Sequence, residues 1–140
     1  MSDKGDVFVL DSYAVLAYLG GESGQKRVQE VLQQTIDGRS KAVLTLINLG
    51  EVAYIVERSQ GLVRAQEALG LIEQLPVEIL PADKDLVLAA AHIKANYPLA
   101  YADAFTVAAG LRTEGIILTG DPEFETVTDL VQVEMLSIEN

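Results

Sequence analysis

The sequence contains no cysteine and a single histidine, His92. Without cysteine, a disulfide framework, a zinc–thiolate site and a thiol nucleophile are all excluded. His92 has no second histidine or cysteine with which to complete a transition-metal site, and we assign it to a solvated or partly packed helix position. The lack of cysteine is also compatible with a reducing compartment, and we expect the protein to be cytoplasmic.

Positive charge is scarce as well. Ten lysine and arginine residues against 21 aspartate and glutamate residues give a formal net charge of −11. This balance argues against a broad basic surface that binds nucleic acid through phosphate contacts. It leaves open an acidic site that meets phosphate through divalent cations, a basic partner on the acidic surface, or an excess charge that serves only solubility.

Long apolar runs are also missing, because no segment approaches the roughly 20 residues that cross a bilayer. Residues 1–6 are polar and lack the apolar core of a signal peptide. We therefore expect neither a membrane span nor a secretion leader. The 140 residues suit one domain, 1–140, with its core over about 7–136.

Short apolar segments alternate with longer helical patterns along the chain. We predict strands over 7–10, 42–45, 77–80, 116–118 and 130–135. We predict helices over 13–19, 23–36, 47–59, 63–75, 83–96 and 101–114, the last one stopped by Gly115. This alternation is typical of an α/β protein whose mainly parallel sheet is covered by helices on both faces.

Two carboxylates follow directly on predicted strands. Asp11 comes after the first strand, and Asp121 follows the fourth strand across Thr119 and Gly120. Because ligands of open parallel sheets bind beyond the carboxyl ends of the strands, both residues are candidates for a site. Each aspartate could instead cap a helix, with Pro122 as the first helical residue after Asp121. The two interpretations are compatible.

Two further carboxylates lie among apolar residues on predicted helices. Glu51 shares a helix face with Ile47 and Ile55. A carboxylate there is unfavourable unless it is paired, solvated or metal-bound, and the alternative is that Glu51 extends to water or pairs with Arg58. Asp103 lies in the first turn of its helix, where the helix dipole favours negative charge. Its small alanine neighbours also allow it to face a cavity.

Together these carboxylates predict a metal site. Converging acids repel one another without a cation, and Mg²⁺ and Mn²⁺ prefer oxygen ligands. With one or two such ions, the acids would bind phosphate oxygens and activate water, which suits phosphodiester hydrolysis. The four candidate residues are Asp11, Glu51, Asp103 and Asp121.

Four segments resemble, in their order and spacing, the motifs of the PIN-domain family. They are VLDS at 9–12, INLGEV at 47–52, YADAF at 101–105 and LTGDPEF at 118–124. Within that family the chain is similar to the VapC-type toxin ribonucleases, and the resemblance covers almost the whole sequence. It implies a three-layer α/β/α sandwich with a central, mainly parallel sheet.

The resemblance also implies an activity, namely endonucleolytic cleavage of RNA that depends on Mg²⁺ or Mn²⁺. The acidic quartet of the family matches the four carboxylates named above. Ser12 and Thr119 match positions whose hydroxyls help to hold the acids or the metal-bound water, and Asn48 matches a frequent asparagine one turn before the glutamate. Ala100 departs from the pattern, because many relatives carry serine there, where it can cap the helix before Asp103.

The same resemblance implies partners. Family members usually form homodimers, and the toxins are silenced by a VapB antitoxin whose tail reaches into the site. We therefore expect an RNA substrate, a homodimer and a VapB-like antitoxin.

Two other functions are compatible with parts of the sequence. A PIN-fold binding module with little or no nuclease activity is the main alternative, and the complete set of four acids disfavours it. An aspartyl-phosphate hydrolase of another α/β family needs a second aspartate two residues after the first, where this chain has Tyr13. We assign the tyrosines to the core or to an interface, and base stacking is left open for one of them. They are Tyr13, Tyr18, Tyr54, Tyr97 and Tyr101.

Overall fold

The computed structural model describes residues 5–137. Residues 1–4 and 138–140, which belong to the predicted single domain, lie outside the described residues. In chain order the elements are β1 (Val7–Leu10), α1 (Ser12–Gly20), α2 (Gln25–Ile36), β2 (Lys41–Thr45), α3 (Leu46–Gln60), α4 (Leu62–Glu73), β3 (Val77–Leu80), α5 (Lys84–Asn96), α6 (Tyr101–Thr113), β4 (Ile116–Thr119), a 3-10 helix (Pro122–Val127) and β5 (Gln132–Met135).

The five strands form one parallel sheet in the order β3-β2-β1-β4-β5. The register pairs Val9 of β1 with Val43 of β2 on one side and with Ile117 of β4 on the other. The chain therefore starts at the centre, builds one half of the sheet outwards, and then returns to build the other half. Strand order reverses between β1 and β4, and a crevice at the carboxyl ends of such strands is where open α/β sheets bind ligands.

Successive residues of the central strands face opposite layers of helices. Phe8 and Leu10 of β1 pack into a core with α1 to α4, whereas Val9 packs into a second core with α5 and α6. This alternation is the period of two of a β-strand, and burial on both faces explains why the strands are almost continuously apolar. The three-layer α/β/α sandwich with a parallel sheet is therefore confirmed.

Each predicted segment overlaps one observed element, with ends that differ by at most two residues. Helix α6 ends at Thr113, one residue before the predicted end, and the left-handed residue there is Glu114, with a φ of 52°. Gly115 follows it and donates its N–H to the Gly110 carbonyl at 3.0 Å. A Cβ atom at position 115 would lie 2.8 Å from the Val7 carbonyl oxygen. Among the helices of the described residues, none has both the length and the apolar character to cross a bilayer.

Candidate metal centre

Asp11 and Asp121 lie side by side at the carboxyl ends of β1 and β4, and both cap a helix. The Asp11 carboxylate accepts a hydrogen bond of 2.9 Å from the backbone N–H of Ala14 at the start of α1. The Asp121 carboxylate accepts one of 2.9 Å from the backbone N–H of Glu123 in the 3-10 helix. The capping interpretation is therefore correct for both residues, and it places both carboxylates at the crevice between the two strands.

Thr119 joins these two aspartates. Its hydroxyl donates to Asp11 Oδ2 at 2.5 Å and accepts from the backbone N–H of Asp121 at 2.9 Å. Thr119 and Asp11 are 0% and 1% exposed, so this contact fixes one oxygen of a buried carboxylate. Thr119 therefore holds Asp11 in place, and its part in the activity stays a prediction.

Glu51 reaches the same crevice from α3 and is partly buried. The hydroxyl of Ser12, the first residue of α1, donates to Glu51 Oε1 at 2.5 Å. Arg58, the alternative partner considered for Glu51, instead lies over the ring of Tyr54, with its guanidinium carbon 5.2 Å from the ring centroid. Ser12 therefore holds Glu51 on the side of the helix that faces Asp11.

Asp103 enters the crevice from the first turn of α6 and is buried. Ala100 occupies the N-cap position of this helix and offers no side-chain hydrogen bond to its first turn. In the absence of a capping side chain, Asp103 is the residue of this first turn whose negative charge interacts favourably with the helix dipole.

A buried polar cluster, formed by Thr45, Asn48 and Thr106, holds α3 against α6. The Asn48 side-chain oxygen accepts from the hydroxyls of Thr45 at 2.5 Å and Thr106 at 2.9 Å, and its nitrogen donates to the Ala102 carbonyl at 3.3 Å. All three members of the cluster are 0% exposed. Since Asn48 precedes Glu51 by one turn, the cluster sets the separation of the two acid-bearing helices.

Asn48 is a candidate from the sequence, whereas Thr45 and Thr106 are found only in the structure. Thr45 carries a local signal, because it ends β2 and caps α3 by accepting from the backbone N–H of Asn48 at 3.1 Å. Thr106 carries none, because its partner lies 58 positions away in the sequence.

We expect Thr106→Val to lower the free energy of unfolding by about 1–2 kcal/mol, because it removes a buried hydrogen bond without changing the size of the side chain. Thr106→Ser, which keeps the hydroxyl, should retain most of that stability. Thr113→Val is the matched control, since the Thr113 hydroxyl donates within its own helix to the Ala109 carbonyl. Urea unfolding of the three variants tests this, and equal losses for Thr106→Val and Thr113→Val would contradict it.

Three carboxylates approach one another closely enough to share a cation. One oxygen each from Asp103, Asp121 and Glu123 lies within 4.8 Å of the others. Asp103 is buried, Asp121 is partly buried and Glu123 is exposed, so this trio runs from the protein interior to the solvent. Asp11 and Glu51 adjoin the trio without belonging to it, and their direct contact with a metal stays a prediction.

Glu123 is the residue of this trio that is not among the four carboxylates predicted from the sequence. It follows Asp121 by two positions and lies in the first turn of the 3-10 helix. Its position two residues after a strand-end aspartate is the sequence signal that indicates a further oxygen ligand.

The crevice concentrates uncompensated negative charge. Burial, which has the largest effect, and the charges of Glu51, Asp121, Asp11 and Glu123 together raise the pKa of Asp103 to about 7. Burial likewise raises the pKa of Asp11 to about 7, against the opposing effect of the hydrogen bonds from Thr119 and Ala14. Hard oxygen donors that are buried and also repel one another suit a divalent cation, which would offset the repulsion.

Comparison with known proteins places these residues in a recognised fold. The family model described as the PIN domain matches residues 8–130 of the chain. No curated protein sequence matches this chain.

Solved structures that share the fold include three with 12–18% sequence identity to this chain. VapBC2 from Rickettsia felis, bound to a DNA fragment from its promoter, has a TM-score of 0.75 at 12% identity, over 94% of this chain and 99% of that one. VapBC-1 from nontypeable Haemophilus influenzae has a TM-score of 0.68 at 18% identity, over 92% and 97%. VapC20 from Mycobacterium tuberculosis, described as a sarcin-ricin loop cleaving toxin, has a TM-score of 0.66 at 16% identity, over 85% and 92%.

Proposed function

This chain belongs to the PIN-domain family, and on that premise we propose that it is a metal-dependent endoribonuclease. The observation that supports this most directly is the trio of Asp103, Asp121 and Glu123, whose carboxylate oxygens lie within 4.8 Å of one another at the crevice between β1 and β4. Oxygen ligands of this kind suit Mg²⁺ or Mn²⁺. Asp11 and Glu51 complete the proposed site.

A bound Mg²⁺ or Mn²⁺ would supply Lewis-acid chemistry, which neutralises charge on a phosphate and lowers the pKa of water. The trio would hold this ion directly. Asp11, which is buried and accepts a hydrogen bond from Thr119, would hold the ion directly or through water. Glu51 would hold a second ion or orient the attacking water, with its own carboxylate held by Ser12. With water as the nucleophile, no side chain has to form a covalent intermediate.

We further propose that the chain is the toxin of a toxin–antitoxin pair. The structures from Rickettsia felis and Haemophilus influenzae are VapBC assemblies, and the one from Mycobacterium tuberculosis is a toxin that cleaves the sarcin-ricin loop. By analogy, the proposed partner is a VapB-like antitoxin, the proposed substrate is RNA, and the proposed assembly is a cytoplasmic homodimer.

The first test is Mn²⁺ binding and RNA cleavage by the purified chain, freed of any partner, in EDTA, Mg²⁺ or Mn²⁺. We expect cleavage only with a divalent cation. Glu123→Gln should weaken Mn²⁺ binding by about 10- to 100-fold, because it removes a charged ligand. Glu125→Gln is the matched control, since Glu125 lies on the same 3-10 helix and is exposed.

Two results would count against the proposal. Cleavage that persists in EDTA would point to a contaminating nuclease, and wild-type protein that neither binds Mn²⁺ nor cleaves RNA would favour the alternative of a PIN-fold binding module.

A further inference from the structure

Tyr13 lies at the mouth of the proposed site with nearly half of its surface exposed. Its exposed fraction is 44%, and its chain neighbour Ser12 holds Glu51. Its ring also lies against Gly120, the residue before Asp121, so closely that a Cβ atom on Gly120 would fall 2.1 Å from Tyr13 Cε1. Tyr13 therefore packs against the segment that carries Asp121 and directly follows the residue that holds Glu51, and the absence of a side chain at position 120 leaves room for its ring.

Two other tyrosines are exposed to a similar degree, and both have aromatic or cationic partners. Tyr54, 49% exposed, has the guanidinium of Arg58 over its ring. Tyr101, 47% exposed, packs at an interplanar angle of 67° against Phe105, with ring centroids 5.1 Å apart. Tyr13 differs from both in packing against the backbone of a segment that carries a proposed metal ligand.

Because the protein is strongly acidic, contacts between RNA and an exposed aromatic ring become important for RNA binding. The formal net charge is −11, and four arginines already form ion pairs with carboxylates. These pairs are Arg27–Glu134, Arg39–Asp37, Arg64–Glu67 and Arg112–Asp83. Since phosphate contacts from cationic side chains provide most of the sequence-independent affinity for nucleic acid, a strongly acidic protein has to draw more of its affinity from other contacts. Stacking of a base on an aromatic ring does not depend on net charge.

We propose that Tyr13 is a base-stacking residue. Its ring binds an unpaired nucleobase next to the RNA phosphate that is cleaved at the proposed metal site. This inference rests on the proposed ribonuclease function. It adds that one nucleotide of the RNA substrate, beside the cleaved bond, is unpaired. Bases inside a duplex are stacked on their neighbours, so a base that stacks on Tyr13 has to be splayed out of a loop, bulge or single strand. The ring acts by its flat face, so the hydroxyl group of Tyr13 is dispensable.

The test combines variants of Tyr13 with an RNA whose cleavage position has been mapped. Affinity is measured with Ca²⁺ in place of Mg²⁺, and KM and kcat are measured with Mg²⁺. Each protein is tested with this mapped RNA in its unmodified form and with the same RNA carrying an abasic nucleotide beside the cleaved bond. The variants are Tyr13→Phe, which keeps the ring, and Tyr13→Leu, which keeps an apolar side chain without a flat face.

We expect Tyr13→Leu to weaken RNA binding and raise KM by roughly 5- to 150-fold, which corresponds to the loss of one stacked base, with a smaller change in kcat. Tyr13→Phe should bind RNA as the wild type does. The abasic nucleotide should weaken binding to the wild type and to Tyr13→Phe by a similar factor, and it should have little further effect on Tyr13→Leu. Tyr13→Met provides a second side chain without a ring if the leucine variant does not fold.

An abasic nucleotide that weakens wild type and Tyr13→Leu equally would overturn the inference, because the base would then contact another residue. Tyr13 also lines a groove of about 700 Å³ between α1 and α3–α4. Loss of antitoxin binding by Tyr13→Leu, with RNA affinity unchanged, would assign the ring to a protein partner and would overturn the inference as well. If wild-type protein binds no RNA with any of these cations, the proposed ribonuclease function fails together with this inference, and that result is distinct from the other two.

Discussion

Replacing Asp103 by asparagine is expected to abolish RNA cleavage and, at the same time, to stabilise the metal-free protein. Cleavage should fall by at least about 100-fold, because Asp103 is a proposed direct ligand of the metal. Stability in EDTA at pH 8 should rise by roughly 1–2 kcal/mol after allowance for solvent screening, because the buried charge that four neighbouring carboxylates repel is removed without a change in shape. RNA cleavage assays and thermal unfolding in EDTA measure the two effects separately.

Asp85→Asn is the matched control for this experiment. Asp85 also lies in the first turn of its helix, α5, but it is exposed. We expect its replacement to leave cleavage unchanged and stability nearly unchanged. If Asp103→Asn lowers stability in EDTA, burial of the carboxylate charge and its repulsion by the neighbouring carboxylates do not dominate at this residue. If Asp103→Asn cleaves RNA as the wild type does, Asp103 is not a ligand of the metal centre.

Divalent cations are expected to stabilise the wild-type protein strongly at pH 8 and only weakly at pH 5. Asp11 and Asp103 have pKa values of about 7 in the folded protein, against an ordinary value of 3.8. Between these values the folded state binds more protons than the unfolded state, so the free energy of unfolding of the metal-free protein falls as pH rises towards 7 and then levels off. Because a cation binds the deprotonated carboxylates, its stabilising effect should appear over the same pH range.

Thermal unfolding in EDTA and in Mn²⁺ at pH 5, 6, 7 and 8 tests this expectation. At a Mn²⁺ concentration 100 times the Kd at pH 8, the cation should add about 2.7 kcal/mol to the free energy of unfolding. In EDTA, Asp103→Asn should show a shallower fall in stability with pH, since one of the two raised pKa values is absent. A wild-type protein whose metal-free stability rises between pH 5 and pH 7 would contradict the raised pKa values.

The order and type of the secondary-structure elements were predictable because their signals are local. The strands are short and apolar since both faces of the sheet are covered, and glycine, proline or aspartate marks most of the element ends. The need for glycine at position 115 has a tertiary cause. That glycine is explained by the close approach of the Val7 carbonyl, which no local pattern reveals.

The candidate site was predictable in part for the same reason. Asp11 and Asp121 follow strands, and the carboxyl ends of parallel strands lie along one edge of the sheet, so their proximity follows from the fold class. The cluster of Thr45, Asn48 and Thr106 was not predictable in full. Its hydrogen bonds depend on how α3 and α6 pack, and this packing joins residues 58 positions apart.

By itself the sequence determined the class of chemistry that is available. It contains no thiol, it is strongly acidic, and it places carboxylates at strand ends and on apolar helix faces. Only the tertiary structure decided which of these carboxylates approach one another, which of them are buried, and that Glu123 joins them. The physical reason is that desolvation and charge repulsion depend on distances in space, and those distances exist only after the helices have packed on the sheet.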